Sequence, residues 1–158
     1  MKFSERLAAV RAEMARQDLS AFLVPRSDEH LGEYVPPSAE RLAWLTGFTG
    51  SAGLAVVFPD HAAVWSDGRY VLQLASETDG ALWERLHLIE QPPPKLVAGR
   101  VGAGGRVGYD PWLMSEDSLA RFREAGLTLV AASPNPLDAA WTQGRPAAPM
   151  APALPYDV

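Results

Sequence analysis

The 158-residue sequence contains no cysteine and only three histidines. Without cysteine there are no disulfides, thiolate nucleophiles, zinc ribbons or iron–sulfur ligands, although absence of cysteine suits a reducing and an oxidising compartment alike. The histidines, His30, His61 and His87, lie far apart in sequence and leave little imidazole for a metal centre. Positive charge is also short: 14 Lys and Arg stand against 19 Asp and Glu, a net charge of −5, which argues against nucleic-acid binding through a broad basic field. No apolar run is long enough to span a bilayer. The nearest, Leu42 to Pro59, carries no charge but holds three glycines and three hydroxyl residues, so it is expected to be a helix end, a glycine turn and a strand. The N-terminus lacks the basic start and apolar stretch of a signal peptide. These absences point to a cytoplasmic protein with neither a membrane nor a nucleic acid as partner.

What is present suits one globular α/β domain: 47% of residues are hydrophobic and 21% charged. Leu7, Val10, Met14 and Leu19 follow a helical period after Ser4, a candidate N-cap, and the apolar run Ala21–Val24 predicts a strand ended by Pro25. Ser38 is expected to cap a helix carrying Leu42 and Leu45 that stops at Gly47. Gly53–Phe58 and Ala62–Trp65 flank Pro59-Asp60-His61 as a hairpin, because proline presets φ and aspartate bonds its own backbone. Helices are predicted over Arg69–Glu77, Lys95–Val101, Ser115–Ala125 and Leu137–Gln143, and strands over Leu86–Ile89, Val107–Tyr109 and Leu127–Ala132. A hairpin combined with helical crossovers implies an α/β fold with a mixed β-sheet covered by helices. Six of the prolines fall between residues 134 and 158, and residues 145–158 form a Pro/Ala-rich linker of polyproline character, leaving 1–144 as the domain.

Four segments carry candidate chemistry. The glycines between Gly99 and Gly108 lead into a strand, the reverse of a phosphate-binding loop, and match neither dinucleotide nor phosphate-loop spacing; a nucleotide-binding domain is accordingly a weak alternative. Asp28, His30 and Glu33 are legal metal ligands, with His30 and Glu33 spaced to share a helical face, but the cluster suits a polar binding loop after a strand better than a metal site. Asp67-Gly68-Arg69 ends a strand in a tight turn, where Arg69 either pairs with Asp67 or meets an anionic ligand. Gly47, Gly50 and Gly53 shape the loop that feeds the next strand, and Ser51 within it has no base nearby in sequence.

Together these pieces resemble a known family. Arg41-Leu-Ala-Trp44-Leu-Thr-Gly47-Phe48-Thr-Gly50-Ser51-Ala52-Gly53, then Trp65-Ser66-Asp67-Gly68-Arg69-Tyr70, is similar to the N-terminal domain of the Xaa-Pro aminopeptidases, shared with creatinase and prolidase. The resemblance extends to Ser27-Asp28-Glu29-His30-x-x-Glu33-Tyr34, to Gly105–Pro111, to Asn135-Pro-Leu-Asp138-x-x-Trp141, and to Arg145-Pro146 at the start of the interdomain link of the three-domain cytosolic type. Thr49 departs from the pattern, since relatives often carry Asp there. The resemblance implies a three-layer α/β/α domain with no catalytic or metal-binding residue of its own. It further implies that a separate following domain holds a pair of divalent metals, usually manganese, and cleaves the Xaa-Pro bond of short proline-containing peptides. In such enzymes this domain walls the active-site cleft and supports a homodimer. Arg69, His30, Glu33 and Tyr34 are the substrate-cleft candidates on that basis. A stand-alone creatinase-N-like interaction module is the alternative.

Overall fold

A computed structural model describes residues 1–155. Helix α1, Phe3–Arg16, buries Leu7, Val10 and Met14, one apolar stripe at near-helical spacing, and each such side chain contributes about 1.5–3 kcal/mol by leaving water. Its start lies earlier than the serine predicts. Glu5 reaches back to accept the Lys2 backbone N–H at 2.7 Å, so Lys2 is the cap and Ser4 lies inside the first turn. Strand β1, Ala21–Pro25, is followed by a loop, a 3-10 turn over Pro37–Ala39 and helix α2, Arg41–Thr46. Ser38 is inside that turn and does not cap α2. Gly47 then closes α2 in the left-handed region (φ 86°), where an added Cβ would stand 2.6 Å from the Glu77 carbonyl oxygen.

Strands β2, Leu54–Val57, and β3, Ala62–Ser66, form the expected hairpin. Asp67 caps the 3-10 turn Gly68–Tyr70 that precedes helix α3, Val71–Glu77. Strand β4 is Glu84–His87, two residues before the apolar run that predicts it. The shift has a physical reason: β4 ends the sheet order, and its charged residues find partners there, Glu84 on Arg100 and Arg85 on the Thr78 carbonyl. Pro93 and Pro94 then open helix α4, Pro93–Val101, as prolines suit a first helical turn, whose N–H groups have no intrahelical acceptor to lose. Strand β5, Arg106–Tyr109, helix α5, Glu116–Glu124, strand β6, Thr128–Ala131, and helix α6, Pro136–Ala140, complete the chain of elements.

Among the described residues six strands form one mixed sheet in the order β4-β3-β2-β1-β5-β6. Only β2 runs against the others, pairing antiparallel with β1 and β3. Strands β1, β2 and β3 are buried on both faces. Phe22, Val24, Ala55, Val57 and Val64 pack against α1, α2 and α6, while Leu23, Val56, Ala63 and Trp65 pack against α4 and α5. This is the three-layer arrangement, and it brings the C-terminal ends of five strands and the start of β2 to a single edge.

Candidate functional site

That edge gathers the loops 26–34, 47–53, 66–70, 88–92 and 110–114. Arg26, just past β1, fastens two of them: its Nη1 donates to the Glu33 carbonyl at 2.9 Å and to the Ser51 carbonyl at 3.4 Å. Ser51 Oγ shares a 2.5 Å hydrogen bond with the Tyr70 hydroxyl, which lowers the Tyr70 pKa from its ordinary value. Ser66 Oγ donates to the Ala52 carbonyl at 2.6 Å, tying the end of β3 to the glycine loop. Gly53 is required there because a Cβ would meet Leu42 at 2.9 Å and the Trp65 carbonyl at 3.1 Å.

Arg69 takes the local partner. Its Nε lies 3.1 Å from Asp67 Oδ1 and its Nη2 2.8 Å from Oδ2, while its own backbone N–H donates to Oδ1 at 2.9 Å. These hydrogen bonds hold the Asp67 carboxyl below the usual carboxylate range and raise the Arg69 pKa in return. The guanidinium sits 5.0 Å from the Tyr70 ring, and Nη1 makes no hydrogen bond among the described residues. Arg69 thus turns one planar face to an aromatic ring and leaves a donor free at the edge.

The loop 28–34 is not helical, so His30 and Glu33 do not share a helix face. Asp28 folds it, accepting the N–H groups of His30 (3.1 Å) and Gly32 (3.2 Å) on Oδ1. His30 pairs with Glu29 at 3.6 Å, and Tyr34 is 88% exposed. The structure therefore joins Glu33, through its backbone, to the Ser51–Tyr70–Arg69 group and sets His30 and Tyr34 in a neighbouring hollow. Among the described residues no group of three His, Asp or Glu is placed to hold a metal ion. In the 28–34 cluster Asp28 Oδ1 is taken by the loop N–H groups and His30 Nε2 faces Glu29.

Sequence reasoning missed three members of this edge. His87, at the end of β4, accepts the Ile89 and Glu90 N–H groups on Nδ1 and lies beside Gly68. Arg26 left no signal, because its partners lie seven and 25 residues away. Glu77 accepts Thr49 N–H at 2.7 Å, Thr49 Oγ1 at 2.8 Å and Gln73 Nε2 at 2.8 Å. Burial pushes the Glu77 carboxyl up, but these donors outweigh it and its pKa is lowered. They also account for Thr49: an aspartate there would set a second carboxylate against Glu77.

The sequence profile of the creatinase/prolidase N-terminal domain matches residues 6–139. The chain belongs to this family. Within it, this creatinase/prolidase N-terminal domain is 41% identical to human Xaa-Pro aminopeptidase 2 over 152 residues, covering 92% of the chain and 22% of that protein. It is 37% identical to a probable Xaa-Pro aminopeptidase P of Pyricularia oryzae, covering 94% of the chain and 25% of that protein. Among solved structures, an X-prolyl aminopeptidase of Caenorhabditis elegans, a cytosolic enzyme with a di-nuclear active site, superposes with a TM-score of 0.81 at 30% identity, over 93% of this chain and 26% of that one. The N-terminal domain of the cytoplasmic peptidase PepQ of Mycobacterium tuberculosis superposes at 0.65 with 29% identity, over 86% of this chain and 98% of that one. The chain thus spans about a quarter of the length of the curated relatives it matches, and the mixed six-stranded sheet is the creatinase N-domain fold. No helix among the described residues is long and apolar enough to cross a membrane.

Proposed function

We propose that this domain is the non-catalytic N-terminal part of a longer, metal-dependent Xaa-Pro aminopeptidase, and that the edge bearing Arg69 walls the cleft of that enzyme. The observation that supports it is the match of nearly the whole chain to the first quarter of Xaa-Pro aminopeptidases. In this reading a pair of divalent metal ions, manganese by the family resemblance, belongs to a following domain reached through residues 145–158. The substrates are short proline-containing peptides, the enzyme works as a cytoplasmic homodimer, and the edge takes part in pairing the copies.

Arg69 is the residue with spare capacity for a peptide. Its fork is already oriented by Asp67, and a guanidinium held in place loses less freedom on binding a carboxylate. Glu33, His30 and Tyr34 flank it as the cleft rim. In the full-length enzyme Arg69→Ala is expected to raise KM and relax the preference for short peptides while leaving metal content unchanged; an unaltered KM and length profile would end this assignment. The 158-residue chain itself is expected to show no Xaa-Pro cleavage with added manganese, and turnover at an enzymatic rate would overturn the non-catalytic reading.

A further inference from the structure

The proline-rich segment does not leave the domain at once. Arg145 Nε donates to the Ser38 carbonyl at 2.9 Å, Nη1 lies 3.2 Å from Asp138, and the guanidinium stands 4.8 Å from the Trp141 ring. From that clamp, prolines recur at 146, 149, 152 and 155, a repeat of three that matches the three residues per turn of polyproline II. Ala148 and Pro149 are thereby laid beside the loop after β1, where they border a hollow with Tyr34, Val35, Asp28 and Glu29.

Two chemistries meet in the lining of this hollow. One is aromatic and apolar: the exposed Tyr34 ring with Val35, Pro36 and Pro149. The other is polar, Asp28 and Glu29 with His30, and among the described residues no lysine or arginine lines the hollow. Asp28 is only 4% exposed, and its Oδ1 is used by the loop backbone, yet its Oδ2 accepts no hydrogen bond among the described residues. A carboxylate so buried has given up most of its water, and its free oxygen is a strong acceptor for a charged donor. Glu29 lines the same hollow with a second carboxylate, one oxygen of which lies 3.6 Å from His30 Nε2. A cation that also stacks on an aromatic face satisfies both chemistries at once, and a planar guanidinium does so better than an ammonium.

We propose that this hollow binds the guanidinium of an arginine side chain carried beside a small apolar residue of a peptide, with Asp28 and Glu29 pairing the charge and Tyr34 stacking on it. Val35, Pro36 and Pro149 receive the apolar neighbour. The site includes the proline-rich segment as a wall, so it exists only while Arg145 holds that segment down. It rests on the hollow's own geometry and does not require the aminopeptidase assignment.

The test uses the 158-residue chain and two blocked peptides, N-acetyl-Pro-Arg-amide and its citrulline analogue, which keeps the shape and removes the charge. In an amide NMR titration the arginine peptide is expected to give saturable shifts at His30, Gly32, Tyr34 and Ala148. The citrulline peptide is expected to bind about tenfold more weakly, the worth of a charge-assisted hydrogen bond. Asp28→Asn keeps an oxygen for the loop N–H groups and is expected to lower the affinity for the arginine peptide by about the same factor. Glu29→Gln, which touches no loop hydrogen bond, is expected to weaken it less, and Arg145→Ala to abolish the Ala148 shift. Equal affinity for the two peptides overturns the proposal, as does the absence of saturable shifts or their confinement to Ser51, Asp67 and Tyr70. If Asp28→Asn disturbs the loop on its own, the citrulline comparison and Glu29→Gln decide.

Discussion

The two edges of the sheet are made from the same strands and are chemically unlike. At the edge bearing Arg69, the loops expose the large apolar side chains Leu31, Tyr34, Ile89 and Trp112, and the first turn of α3 adds Val71 and Leu72. At the opposite edge the connections 17–20, 58–61, 78–83, 102–105 and 125–127 expose none. They carry Asp18, Gly102, Gly104 and Gly126 at positive φ and the aspartate caps of short turns. The glycine-rich segment, the basis of the weak nucleotide-binding alternative, lies at this plain edge, where it turns into β5 with open space around Gly102 and Gly104. One edge is built to reverse the chain in water; the other holds apolar surface in place with a net of side-chain hydrogen bonds. Exposed apolar side chains gathered at one edge suit the contact role proposed for it.

Glycine substitution separates the edges most sharply. Gly47→Ala is expected to cost roughly 3 kcal/mol in urea unfolding, because left-handed backbone and a 2.6 Å approach to the Glu77 carbonyl act together. Asp138→Ala is expected next, at about 2 kcal/mol, since it removes the bidentate partner of Arg41, which is only 9% exposed. At the plain edge Gly104→Ala meets nothing within 4 Å, so only the backbone term remains, about 1 kcal/mol. A Gly104 variant as unstable as the Gly47 variant would erase the distinction between the edges.

The smallest effect lies in acid. Asp67 and Glu77 both have lowered pKa values in the folded protein, so their contribution to stability is present above the ordinary carboxylate pKa and is lost as pH falls through the lowered one. The window opens below about pH 4. Glu77→Gln is expected to flatten the acid limb of unfolding midpoint against pH, whereas Asp60→Asn, whose carboxyl is lowered chiefly by hydrogen bonding to His61, probes the plain edge in the same way. Parallel acid limbs for wild type and Glu77→Gln would show that the net around Thr49 adds no stability.

Much of this was legible in the chain because it is local. Pro59-Asp60 marks the hairpin, the apolar runs mark strands buried on both faces, and Asp67 captures Arg69 two residues away. Ser4 and Ser38 misled because a cap depends on where the helix is pulled by packing, and Glu5 and the 3-10 turn moved both starts. Strand β4 was displaced because the partners of Glu84 and Arg85 lie on α4 and at the end of α3, and apolar periodicity carries no record of charged contacts.

Periodicity, turn chemistry and motif spacing are properties of neighbouring residues, so the sequence by itself determined the α/β class, the hairpin, the family resemblance and the Arg69 turn. Strand order, the reach of Arg26 from Glu33 to Ser51, the Arg41–Asp138–Arg145 clamp and the hollow beside Asp28 join residues up to 107 positions apart. Only the tertiary structure decided these, because the energy of a side chain's hydrogen bonds and burial depends on what the folded chain brings beside it, and distant neighbours leave no periodic mark on the sequence.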